Sequence, residues 1–127
     1  MVLHDMRRIA IAWNGSAEAA RAVGLALPAL DRAEAVLLFA SPEPKQAGLG
    51  VEALARYLDA HEIAHERHDF RAGRRDIGAP LLEAVRAAGA DLLVMGAYGD
   101  ARRRELVLGG VTEYVVGHAE LPVLLAH

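Results

Sequence analysis

Four short, almost wholly apolar runs, separated by segments of helical period, constrain this chain more than any other feature. They are Arg8-Ile-Ala-Ile-Ala-Trp13, Glu34-Ala-Val-Leu-Leu-Phe-Ala-Ser41, Asp91-Leu-Leu-Val-Met95 and Leu121-Pro-Val-Leu-Leu-Ala126. A strand with one wet face alternates apolar and polar residues. A strand apolar throughout needs cover on both faces, and a parallel sheet with crossover helices supplies it. Aromatic residues make up only 5% of the chain, so its core must be built from Ala, Leu and Val.

The intervening segments fit that plan. Ser16 can cap a helix in which Ala20, Val23, Leu27 and Leu30 recur at helical spacing. Pro42 and Pro44 break the chain after the second run, and a helix is expected from Leu49 to about His61, with Leu54, Tyr57 and Leu58 on one face. Ile63 to Phe70 alternates and is expected to form a further strand, at an edge. Asp76 is placed to cap a helix through Ala88, with Pro80 tolerated in its first turn and Gly89 ending it. Val111 to Gly117 forms the last helix.

The expected order along the chain is β-α-β-α-β-α-β-α-β, in one domain over residues 1–127. The expected fold is an α/β three-layer sandwich, flavodoxin-like in the broad sense, with a five-stranded parallel sheet of order 3-2-1-4-5. Ligands of such sheets sit outside the carboxyl ends of the strands where strand order reverses, here between the first and fourth strands. The turn Asn14-Gly15-Ser16 and the loop Gly96–Gly99 would face each other there.

Met95-Gly-Ala-Tyr-Gly99, with Gly109-Gly110 further on, lies between a buried strand and a helix. Glycine lets backbone N–H groups approach an anion, and a helix N-terminus adds unpaired donors and a favourable dipole. The competing reading is loop geometry alone: positive φ and close packing without a ligand. Arg102-Arg103-Arg104 could close over phosphates, but a solvated charge run beside Asp100 and Glu105 accounts for at least two of them. Trp13 is expected in the core, and His118 needs no role beyond complementing a helix C-terminus.

Composition narrows the function classes. The net charge of −3 gives no general pull towards nucleic acid or anionic membranes. With no cysteine, thiolate metal sites and thiol catalysis are excluded. No apolar stretch approaches the ~18–20 residues that span a bilayer. The segment Met1 to Arg8 lacks the apolar core of a signal peptide, so the cytoplasm is the expected compartment.

His61-Glu-Ile-Ala-His65 matches the H-E-x-x-H pattern of zinc hydrolases. That chemistry requires one continuous helix with both imidazoles on one face. Here the pattern straddles an expected helix end and strand start, and strand residues four apart lie about 13 Å apart. Zinc hydrolysis is therefore a remote alternative, and an exposed, pH-sensitive edge the expected one.

Gly96, two residues, Gly99, nine residues and Gly109 reproduce the glycine spacing of the universal stress protein family. The flanks Ala90-Asp-Leu-Leu-Val-Met-Gly96 and His118-Ala-Glu-Leu-Pro-Val-Leu-Leu125, and the opening Ile-Ala-Trp-Asn-Gly-Ser16, resemble that family over essentially the whole chain. The resemblance implies a fold of the adenine nucleotide alpha hydrolase-like kind and a regulatory adenine nucleotide, ATP or another, with or without Mg²⁺. No general base, nucleophile or metal set stands out among the residues, so efficient turnover is not expected. The implied site comprises Asn14, Gly15, Ser41, Gly96, Ala97, Gly99, Gly109, Gly110, Val111 and Thr112. Backbone groups of Ala97, Gly99, Gly109 and Gly110 would hold phosphates, and Asn14, Gly15 and Ser41 would line the base and ribose.

Two positions depart from the family pattern. Gly110 stands where ATP-binding members carry Ser or Thr, which removes a hydrogen bond worth ~1 kcal/mol, with Thr112 a possible substitute. Asn14 stands where Asp is usual. The last strand, Pro122 to Ala126, would be an apolar sheet edge, a liability unless another chain covers it. A homodimer through that strand is expected, and a nucleotide-free dimeric interaction module is the alternative function.

Overall fold

The computed structural model describes residues 6–40, 50–71, 77–97 and 110–127. Five strands form one parallel sheet: β1 (Arg8–Trp13), β2 (Ala35–Ala40), β3 (Glu66–His68), β4 (Leu92–Gly96) and β5 (Val123–Ala126). Their order is β3-β2-β1-β4-β5, as expected, and every pairing is parallel. Four helices are described: α1 (Ala17–Arg32), α2 (Val51–Ala60), α3 (Gly78–Ala87) and α4 (Val111–His118).

The apolar runs divide their side chains between two cores. Ile9, Ile11 and Trp13 of β1 join Val36, Leu38, Leu92 and Val94 under α1 and α2. Ala10, Leu37, Phe39, Leu93 and Met95 point the other way, beneath α3 and α4. Trp13 is a core residue, as expected.

Helix α1 buries Ala19, Ala22, Ala26 and Ala29 beside Val23 and Leu30. The contact face is thus mostly alanine, whose short side chain lets the helix axis approach the sheet closely. Ala20, expected on this face, is exposed instead, and Leu27 is half-buried. Pro28 lies inside α1, where it removes the N–H that would bond to Gly24. Both residues lie on the exposed side, so water can satisfy the stranded carbonyl.

Helix ends explain where the sequence reading overran. Helix α2 stops in a Schellman motif: Glu62 N–H donates to Asp59 O and Ile63 N–H to Leu58 O, each at 2.9 Å. Glu62 takes the left-handed position at φ 59°, the only described non-glycine residue with positive φ. Ile63 then folds back into the core with Leu58. It therefore cannot begin the strand expected from Ile63 to Phe70, and β3 is only Glu66–His68. Tyr57, expected on the buried face, is 39% exposed and rests on His61; that face is Val51, Leu54 and Leu58. Helix α3 ends in the same motif with Gly89 at φ 75°, as expected. Its N-cap is Ile77, which supplies no side-chain cap; Asp76, the expected cap, lies outside the described residues.

At the amino ends of the strands a polar cluster joins β1 to α3 and β4. Asp91 accepts from the backbone N–H groups of Arg7 and Arg8 at 3.0 and 2.9 Å. Arg8 donates Nε and Nη2 to the Ala88 carbonyl at 3.0 and 2.8 Å, placing a cation at the negative end of α3. Strand β5 starts at Val123, since Pro122 has no N–H for the ladder and contributes only its carbonyl, to Leu93 N–H at 3.0 Å.

Candidate functional site

The order β3-β2-β1-β4-β5 reverses direction between β1 and β4, and the crevice at their carboxyl ends is where an open parallel sheet takes ligands. Ala12 pairs with Met95, so continuing the register by two residues sets Asn14 level with Ala97. The turn after β1, the end of β4 and the start of α4 are the described parts of this crevice.

The β1 turn is built from internal hydrogen bonds. Asn14 Oδ1 accepts from Ser16 N–H at 3.1 Å, closing an Asx turn. Gly15 sits inside it at φ 80°, a conformation that glycine adopts without steric cost. Ser16 then caps α1, its Oγ accepting from Ala19 N–H at 3.1 Å, as the sequence suggested. Ser16 thereby satisfies one of the unpaired N–H groups at the start of α1.

The end of β4 shows why one signature glycine is required. A Cβ on Gly96 would lie 2.5 Å from Ala19 N and 2.7 Å from Glu18 C, inside the backbone of α1. Gly96 is needed for close packing, not for positive φ. Ala97 is buried, and its N–H donates to Ala126 O at 2.7 Å. That donor is committed to the sheet, which removes it from the phosphate-holding role expected of it.

Helix α4 begins differently. Gly110 is its N-cap, in extended geometry (φ −69°, ψ −173°), and among the described residues no side chain caps the helix. A Cβ at Gly110 would meet no described atom within 4 Å, and its φ is one that any residue adopts. Val111 is half-buried, and Thr112 is buried on the flank that Val115 also occupies. On the neighbouring flank Tyr114 fills the space opposite Gly78, where a Cβ would lie 2.8 Å from its ring.

Of the expected site residues, Asn14 and Gly15 fall in the turn after β1, Gly96 and Ala97 at the end of β4, and Gly110, Val111 and Thr112 at the start of α4. Ser41, Gly99, Gly109, Asp100 and Arg102–Arg104 lie outside the described residues.

The H-E-x-x-H match has different geometry from a zinc helix. Helix α2 ends at Ala60, and Glu62 occupies the left-handed turn between the two histidines. His65 Nε2 pairs with Asp59 Oδ1 at 2.9 Å, while His61 stacks on Tyr57 with ring centroids 4.7 Å apart. The continuous helix that the zinc reading requires is not formed. Among the described residues, no three His, Asp or Glu side chains gather as a metal-binding group.

The universal stress protein family matches residues 6–127. The chain belongs to that family. Among solved structures, a universal stress protein from Archaeoglobus fulgidus is similar at TM-score 0.67 and 19% identity, covering 95% of this chain and 98% of its own. A universal stress protein crystallised in complex with cAMP gives TM-score 0.66 and 20% identity, covering 96% and 97%. The UspA protein from Lactobacillus plantarum gives 0.60 and 18%, covering 95% and 97%. At these identities the likeness shows the shared fold. No curated protein matches the chain by sequence. No helix among the described residues of this universal stress protein is long and apolar enough to cross a membrane.

Proposed function

We propose that this universal stress protein domain binds an adenine nucleotide, ATP or a related one, in the crevice between β1 and β4. The nucleotide acts as a regulatory ligand and is not efficiently turned over. The observation that carries the reading is the contrast between the two helix starts: Ser16 caps α1, whereas among the described residues no side chain caps α4 at Gly110 and none lies within 4 Å of a Cβ there. An uncapped N-terminus offers N–H donors and a positive dipole end to a phosphate. Family membership, and the cAMP complex of one structural relative, favour a nucleotide as the source of that phosphate.

In this reading Gly110 and Val111, at the start of α4, face the phosphates, with Thr112 one residue further into the helix. Asn14 and Gly15 approach the ligand from β1. Ser41, Gly99 and Gly109 are assigned to the same site from the sequence alone. Gly96 and Ala97 shape the floor, one by admitting α1 and the other by joining β5.

The test is thermal unfolding titrated with ATP, with and without Mg²⁺, and with AMP and GTP for comparison. Ligand at 100 times its dissociation constant adds about 2.7 kcal/mol of stability. A saturable rise with ATP supports the reading. No shift at millimolar ATP refutes it and leaves a nucleotide-free interaction module.

That second function is favoured by the β5 edge. Among the described strands β5 bonds only to β4, and Leu125 is 37% exposed. Val116 of α4 is 61% exposed, on the flank away from Tyr114 and therefore from α3. A free strand edge bordered by apolar side chains suits pairing with a second copy of this chain. The homodimer is proposed alongside the nucleotide site and does not depend on it.

A further inference from the structure

Helix α4 is held from two sides. Val115 is fully buried, in one core with Leu81 and Val85 of α3. On the adjoining flank Tyr114 lies against Gly78, the first residue of α3. A Cβ on Gly78 would stand 2.8 Å from both Cβ and Cγ of Tyr114 and 2.9 Å from its Cδ1. The contact with Cβ decides what a larger residue would do. Rotation about χ1 swings a ring but leaves Cβ where the backbone puts it, so at this point the main chains of α3 and α4 set their own separation. The ring is fixed as well. His118 stacks on it with centroids 3.9 Å apart and 10° between the planes, and His118 Nδ1–H donates to Tyr114 O at 2.9 Å. Tyr114 N–H donates to Gly110 O at 3.1 Å, closing the first turn of α4. The notch at Gly78 therefore stands one helical turn from the N-cap.

We propose that Gly78 and Tyr114 are positioning residues of the nucleotide site: their contact sets where the N-terminus of α4 stands, and so how well that terminus meets phosphate. The inference rests on the nucleotide reading above, in which Gly110 and Val111 face the phosphates. Gly78 and Tyr114 act through α4 and not on the ligand. A Cβ at Gly78 would push the first turns of α4 away from α3 by about 0.5–1 Å before the contact became an ordinary one. The hydrogen-bonded first turn carries that displacement from Tyr114 to Gly110. A bond from N–H to a phosphate oxygen has a narrow range of good distances, so it weakens over a shift of this size.

The experiment compares wild type with Gly78→Ala and with Ile63→Val, which trims the core on the opposite face of the sheet. Amide NMR spectra without ligand report the displacement, thermal unfolding the stability, and calorimetric titration with ATP and Mg²⁺ the affinity. Gly78→Ala is expected to shift the resonances of Gly110, Val111 and Thr112 more than that of Ser16, and to bind ATP about tenfold more weakly. Ile63→Val also lowers the unfolding midpoint but is expected to keep the wild-type affinity within about twofold. Should Gly78→Ala not fold, Tyr114→Ala, which empties the notch without crowding it, takes its place with the same expectations. Unshifted resonances at Gly110 to Thr112, or an ATP affinity within about twofold of wild type, overturn the inference. An equal loss of affinity in Ile63→Val overturns it too, since the contact would then matter only to stability. If wild type itself binds no ATP, the nucleotide reading fails and the inference falls with it.

Discussion

Replacing one glycine by alanine at two places in this chain should change stability in opposite directions, and the structure sets both signs. At Gly96 the new Cβ would stand 2.5 Å from Ala19 N, 2.7 Å from Glu18 C and 2.9 Å from Glu18 Cβ. Comfortable contacts between such atoms lie near 3.5 Å, so the first turn of α1 must retreat by about 1 Å. That turn is anchored by the Ser16 cap and by Ala19, Ala22 and Val23 against the sheet. Overpacking of this kind costs about 1–3 kcal/mol, and contact with backbone places Gly96→Ala near the upper end. Against a total stability of about 5–15 kcal/mol, that is a large fraction. At Gly24, an exposed position inside α1, a Cβ would meet nothing within 4 Å. There alanine restricts the unfolded chain and favours the helix, for a gain of about 0.5–1 kcal/mol. Urea unfolding read by circular dichroism separates the two. With an m-value of about 2 kcal/mol per molar, Gly96→Ala should lower the midpoint by about 1.5 M. Gly24→Ala should raise it by about 0.3–0.5 M. Gly96→Ala within about 0.5 kcal/mol of wild type, or both variants shifting the same way, would refute the packing argument.

Three further outcomes follow from other positions. Glu62→Gly relieves a left-handed non-glycine residue, offset in part by the greater freedom of glycine in the unfolded chain; a net gain of about 0.5–1 kcal/mol is expected in the same urea assay. Gly110→Ser places a hydroxyl beside the start of α4, where it can either cap the helix or donate to a phosphate oxygen. Added stability of a few tenths of a kcal/mol is expected without ligand, and ATP binding several-fold tighter by calorimetry is expected if the hydroxyl reaches phosphate; weaker binding would place the phosphate elsewhere. Val116→Glu on α4 combined with Leu125→Lys on β5 puts opposite charges on the proposed interface within each copy while breaking its apolar surface. Analytical ultracentrifugation should show a dimer converted to monomer, and an unchanged dimer would move the interface away from this edge.

Much of the fold could be read without coordinates because its strongest signals are local. The apolar runs at Arg8–Trp13, Ala35–Ala40 and Leu92–Met95 form strands where they were expected, since burial on both faces leaves no polar alternation to confuse the reading. Ser16 and Gly89 mark their helix ends through the chemistry of caps, which depends on a few neighbouring residues. Parallel pairing follows from helices recurring between strands, and the observed order β3-β2-β1-β4-β5, the one expected, locates the crevice at β1 and β4.

Tertiary structure decided what depends on partners distant in the sequence. Glycine at position 96 is dictated by the α1 backbone, some eighty residues earlier, and nothing beside Gly96 announces it. The commitment of Ala97 N–H to Ala126 removes a phosphate donor that the glycine pattern alone appeared to offer. Asp91 and Arg8 bind together the amino ends of two strands and the end of α3, a cluster with no sequence pattern of its own. Glu62 in a left-handed cap follows the end of α2 and shortened β3, because the burial of Ile63 beside Leu58 outweighed both backbone preference and strand alternation. The sequence could determine which segments are strands and helices, because period and cap are properties of neighbours. Which donors and spaces those segments leave at the crevice was decided only by packing, because it depends on what the rest of the chain brings against them.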